Sequence, residues 1–185
     1  MKRLIAFLLV TILASTTQAA WRENERRINT TLKVSHFNRV ASQYLETPTN
    51  IIVLKMGGVE SLGIEPKNDR SIYFSVDYVD EYLSFIGKYI EWQEKAILNE
   101  DAFTKKIGDS KSQMAGIRIR FGFYSGNAKN HYLTVSTCVH LFGTCTESDE
   151  QPQYYDLDNA KKLAVLLTQL KAGELKAEDV SEKYN

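Results

Sequence analysis

The chain has 185 residues, of which 43% are hydrophobic, and its 23 basic and 23 acidic side chains give a formal charge of zero. That balance argues against a dedicated nucleic-acid binder, whose affinity rests on neutralising phosphates, and the apolar share argues against a disordered chain. The length suits one ordinary domain, able to bury roughly 70% of its unfolded surface without depending on disulfides or metals.

In the opening MKRLIAFLLVTILASTTQA, Lys2 and Arg3 precede a largely apolar run from Leu4 to Ala14. Thr17 and Ala19 are small residues placed for cleavage before Ala20. This is the anatomy of a secretory signal peptide over residues 1–19, since a membrane span needs ~20 apolar residues. Cleavage after Ala19 would deliver a periplasmic or secreted protein. No later segment is apolar enough to suggest an integral membrane span in the mature protein.

Residues 20–34 are charged and aperiodic, and read as a flexible N-terminal arm. A single domain is expected over 35–173. It opens with SHFNRVASQYLETP, where Phe37, Val40, Ala41, Tyr44 and Leu45 share one face of a short helix, with Ser35 as its cap and Pro48 beyond its end. NIIVLKM is a β-branched strand, Gly57-Gly58 supplies a tight turn, and VESLGIE and RSIYFSV continue the β region. Asp77 or Asp80 then caps a long amphipathic helix whose stripe runs through Val79, Tyr82, Leu83, Ile86, Tyr89, Ile90, Ala96 and Ile97.

A polar connection leads to GIRIRFGFY, where Ile117, Ile119, Phe121 and Phe123 alternate with Arg118, Arg120 and Tyr124. HYLTVSTCVH returns, with Leu133, Val135 and Val139 on one face and Tyr132 and His140 on the other. PQYYDL is a last short strand. Asp158 is placed to cap a helix carrying Leu163, Leu166, Leu167 and Leu170, closed by Gly173. Residues 174–185 form a charged C-terminal tail. YFSVDYVDEYL and YYDLDNAKKLA share a layout of aromatics, an aliphatic, Asp and a helix, each after a run of strands. The fold class is α+β: one antiparallel sheet of two β-β-β-α-like units, duplicated or alike by necessity, with the two longer helices on one face and the short helix at the N-terminus.

The chain has two cysteines, Cys138 and Cys145. An exported protein meets conditions in which disulfides persist, and a loop over 140–143 would set these two directly opposite each other in a hairpin. Cys138, His140 and Cys145 lack the paired spacing of a zinc site, and the pair is not the C-x-x-C of redox enzymes. A structural disulfide is expected, with no metal.

No nucleophile elbow, zinc-protease helix, phosphate loop or dinucleotide fingerprint is present. Glu147, Asp149, Glu150, Asp156 and Asp158 lack the spacing of a calcium loop. Glu91 and Glu94 sit beside Lys88 and Lys95 as surface charge. The sequence therefore points to a non-enzymatic binding or inhibitory protein without cofactors, acting through a sheet face that bears Arg118, Arg120, Tyr124, Tyr132 and His140. Its expected partner is another protein or an envelope glycan. A small hydrolase or an envelope assembly factor is the competing reading.

Overall fold

The computed structural model describes residues 23–67, 69–141, 144–147 and 151–176. The expected signal peptide, most of the charged tail, and Asp149 and Glu150 lie outside these residues. The strands are β1 (Glu23–Arg27), β2 (Val34–Asn38), β3 (Gln43–Thr47), β4 (Thr49–Met56), β5 (Val59–Pro66), β6 (Ile72–Ser75), β7 (Thr104–Lys111), β8 (Ile117–Ser125), β9 (His131–Leu141), β10 (Thr144–Glu147) and β11 (Gln153–Tyr155). Helix α1 spans Val79–Asn99, after a short 3-10 turn at Val76–Tyr78, and α2 spans Leu157–Ala172. The class is α+β, and every strand pairing is antiparallel.

Two sheets form rather than the single one expected. One has four strands in the order β1-β4-β5-β6; the other runs β3-β2-β11-β9-β8-β7, with β10 also paired to β9. Their inward faces and both helices share one core. Phe74 of β6 packs against Tyr82 of α1 and Phe121 of β8, with ring centroids 5.3 and 6.3 Å away, so the core reaches from sheet to sheet. Gln153 of β11 adds a polar tie. Its buried amide donates to the backbone carbonyls of Arg70 and Ile64, and the buried Tyr155 hydroxyl donates to its oxygen. Burial without those bonds would cost about 1–3 kcal/mol per group.

The short N-terminal helix is a correction: β2 and β3 form a hairpin there. Val34 pairs with Thr47, Phe37 with Tyr44 and Asn38 with Gln43. Asn38 Oδ1 accepts from the amides of Val40 and Ala41, which closes the turn. A turn over residues 39–42 sets Phe37 directly opposite Tyr44, so the two rings share the outward face while Val34 enters the core. Val40, assigned to the helical stripe, is 99% exposed.

The expected arm also enters the fold, because β1 pairs with β4 along the edge of the smaller sheet. The polar connection after α1 holds β7, whose pairing with β8 shifts register between Lys106 and Gly108.

The turn at Gly57-Gly58 forms as expected, with φ of 57° and 83° and Met56 paired with Val59. Of the two expected strand-helix runs, β4-β5-β6 leads into α1, whereas five strands, β7 to β11, precede α2. The caps shift as well. Ser75 caps the 3-10 turn ahead of α1, and Asp156, not Asp158, caps α2 by accepting from the Asn159 amide. Asn159 in turn accepts from the Lys33 amide, which fastens the start of α2 to the chain entering β2.

Candidate functional site

Alternation on β8 and β9 decides which residues can meet a partner. Ile119, Phe121, Phe123, Leu133 and Val135 are fully buried inward. Their neighbours Arg118, Arg120, Gly122 and Tyr124 therefore face outward, opposite Cys138, Ser136, Thr134 and Tyr132 respectively. Val139, expected inward with this set, is 40% exposed because it lies past the end of the core.

The structure brings Tyr124 and Tyr132 together as a cross-strand pair and adds three rings to them. Tyr154 of β11 pairs with Thr134 on one side and Ser35 on the other, which continues the outward face into the N-terminal hairpin. There Tyr44 lies 4.4 Å from Tyr132, 4.9 Å from Tyr154 and 6.0 Å from Tyr124 between ring centroids, with Phe37 at 5.2 Å. All five rings are half-buried. Burial pushes the Tyr44 hydroxyl pKa upward, and its bond to Tyr124 and the other tyrosines push the same way. Burial also raises Tyr132 and Tyr154. These phenols therefore stay protonated near neutral pH and can both donate and accept.

Beyond the rings the face becomes charged. Arg120 Nε and Nη2 donate to the two carboxylate oxygens of Asp109, at 2.8 and 3.2 Å, and Lys106 Nζ lies 3.2 Å from the same carboxylate. Burial alone would raise the Asp109 pKa, but the bonds to Arg120 and Lys106 outweigh it and hold the carboxyl below its ordinary range. Beside this group is a cleft of about 190 Å³, lined in part by Lys106, Arg120, Gly122, Thr134, Ser136 and Pro152 and by none of the five rings.

Arg118 and His140 are set apart. Arg118 pairs with Cys138, and His140 pairs with Cys145 beyond the start of β8. Eight residues of strand separate His140 from Tyr132, about 27 Å. The five sequence-predicted residues thus split into a tyrosine pair, a central Arg120, and a distant end.

That end carries the disulfide. Cys138 and Cys145 are bonded, with Cα atoms 5.5 Å apart. The register differs from the expected one: Leu141 pairs with Thr144 and Cys138 with Glu147, so the bridge is diagonal and only residues 142 and 143 separate the strands. The Asp109 carboxylate lies within 4.8 Å of both sulfurs. With the sulfurs bonded to each other, neither is a thiolate ligand.

Sequence reasoning missed Phe37, Tyr44 and Tyr154 as parts of this face. The first two were assigned to a helix. Tyr154-Tyr155 held a usable signal, since adjacent aromatics on one strand must point to opposite faces.

Two other features compete for attention. The larger cavity, about 910 Å³, lies between residues 28–31 and α2 and is lined by Lys161, Lys162 and Val165 among others. Ser125 Oγ sits 2.8 Å from His131 Nδ1, an arrangement that resembles a catalytic dyad. His131 is buried, stacks on Phe123 and donates from Nε2 to the Ala128 carbonyl. Neither Ser125 nor His131 lines any of these clefts, and the pair ties the two ends of the β8–β9 turn. Among known proteins the chain matches no family model and no curated protein, so its site is read from its own geometry.

Proposed function

We propose that the protein is an exported binding or inhibitory protein that engages its partner, a protein or an envelope glycan, through the outward face of the seven-stranded sheet. The observation that carries this reading is the cluster of Phe37, Tyr44, Tyr124, Tyr132 and Tyr154 beside Arg120. Five half-buried rings gathered from five strands hold apolar area that a partner would remove from water at ~25 cal/mol per Å². Tyrosine and arginine dominate binding hot spots because they join flat contact area to directed hydrogen bonds. A merely solvated sheet face is normally polar and has no need of such a cluster.

Export is supported by the N-terminal segment and by the disulfide, which suits an oxidising compartment. No helix among the described residues is long and apolar enough to cross a membrane.

Two double variants, Arg118→Ala with Arg120→Ala and Tyr44→Ala with Tyr132→Ala, test the reading. Partner capture from the envelope fraction should weaken in both, while the arginine variant keeps its melting temperature within a few degrees. A folded arginine variant and a folded tyrosine variant that both retain full capture would remove this face from consideration.

A further inference from the structure

We propose that the free edge of β3 takes up one extended strand of a partner protein, which makes the partner of the outward face a protein rather than a glycan. The inference rests on the reading of that face as a binding surface and names what it binds.

Among the described residues four strands end the two sheets, β1 and β6 in one and β3 and β7 in the other. An unpaired edge offers its backbone N–H and C=O groups to another strand, and proteins blunt it with lysines, bulges, charges or cover. β7 carries Lys105, Lys106 and Lys111, and its register shifts between Lys106 and Gly108. β1 holds Glu23, Glu25, Arg26 and Arg27, and its register shifts too. Three of the four residues of β6 are buried.

β3, with the sequence QYLET, has none of these devices. Its five residues, an ordinary strand length, run against β2 without a register shift. It contains no lysine and no proline, and its one charge, Glu46, is paired with Lys33 at 2.7 Å. Among the described residues only β2 pairs with it; beyond that ladder, the Thr47 carbonyl accepts from the Thr49 hydroxyl.

Both sides of this edge suit alternating side chains. Outward, β3 carries Tyr44, the ring in contact with Phe37, Tyr124, Tyr132 and Tyr154. A strand laid ~4.8 Å beyond β3 would set an apolar or aromatic residue beside Tyr44 and extend that cluster. Inward, Leu45 and Thr47 border a cleft of about 460 Å³, with His36, Pro48, Lys67 and Asp69 also in its lining. The inward side chains of an added strand would border that space rather than packed core. With Glu46 already paired, the matching strand is neutral where it meets β3. Backbone bonds supply the affinity in strand addition and alternate side chains supply the selectivity. A glycan has no amide ladder to match this edge.

The test is a titration of the exported, oxidised protein with a copy of its own residues 33–39, KVSHFNR, blocked at both ends. This probe already matches β3, because β2 sets Phe37 opposite Tyr44 and His36 opposite Leu45. Backbone amide shifts and hydrogen exchange give the readout. The peptide should move the amides of residues 43–47 saturably and slow exchange at alternate positions, while the native β2–β3 pairs keep their protection. A fully N-methylated copy should bind at least about tenfold more weakly, a difference of about 1.4 kcal/mol. Gln43→Lys and Glu46→Lys, which place on β3 the charge that guards β7, should each weaken binding several-fold. The N-methylated copy keeps the test decisive if either variant misfolds.

No slowed exchange along β3, or equal binding of the N-methylated copy, would overturn the proposal. So would self-association that Glu46→Lys abolishes, which assigns the edge to a second copy, or partner capture that survives protease treatment of the envelope fraction. If the tyrosine variant loses its partner while the peptide fails, the strand assignment falls and the binding face stands. If the peptide pairs with β3 while the face variants hold their partner, the edge stands and the wider face falls.

Discussion

Asp109 holds the charged end of the outward face together, because Arg120 and Lys106 both bond its carboxylate. Its pKa lies below its unfolded value, so the stability it contributes is present above the ordinary carboxylate range, near 3.8, and is lost as pH falls through the lower folded value. Asp109→Asn should therefore melt below the native protein at pH 7, and the gap should close as the pH is lowered toward 2. Melting curves by circular dichroism across that range give the measurement. A gap independent of pH would mean that the carboxylate charge contributes nothing, and that the two cations are placed by packing alone. The same residue explains how Arg120 can be only partly solvated: the Asp109 carboxylate accepts from its Nε and Nη2 and compensates its charge.

Among the elements, the β9–β10 hairpin is the one held covalently. The bridge closes a short loop, from Cys138 to Cys145, so the entropy it removes from the unfolded chain is worth no more than about 2.5 kcal/mol. Both sheets and both helices form their contacts without it. Cys145→Ser should thus fold and lose that amount or less in urea denaturation, with an unchanged slope. Failure to fold would show that the clip organises the larger sheet rather than the tip of one hairpin. The N-terminal hairpin offers a contrast. It has no covalent tie; Tyr44 holds it to Tyr132 of β9 and Tyr154 of β11 through ring contacts, with centroids 4.4 and 4.9 Å apart, and Phe37 packs on Tyr44 within the hairpin. The element that completes the candidate site is therefore also fastened by it.

Across the whole molecule, the helices join the two sheets into one core. Ile86 of α1 and Leu166 of α2 are buried in the cluster shared by both sheets, whereas Val165, the neighbour of Leu166, is 56% exposed. Ile86→Ala and Leu166→Ala should each cost about 2–5 kcal/mol, and Val165→Ala should stay within about 0.5 kcal/mol. Urea titration of the three variants tests the phase of both helices at once. Losses below that smaller figure at both buried sites would mean the helices do not carry the junction. Legibility in the sequence followed the same division. The long helix, the Leu-rich helix, the β4–β5 turn and the inward and outward sides of β8 could be read directly, because each has a single period or a glycine that admits one local conformation. Residues 35–48 could not, since their aromatic spacing fits a helical face and the hairpin that replaces it packs Tyr44 on Tyr132 and Tyr154, residues far along the chain. Likewise β7 has no apolar alternation of its own and is a strand because β8 offers it an edge. The sequence by itself determined the class, the two main helices, the cysteine pair and the outward side of β8 and β9 on which Arg120, Tyr124 and Tyr132 lie, all consequences of local pattern. Only the tertiary structure decided that there are two sheets, that the bridge is diagonal, that His140 stands far from the tyrosines, and that five aromatic rings meet. Those depend on strand register and on pairings between distant segments, which local periodicity does not encode.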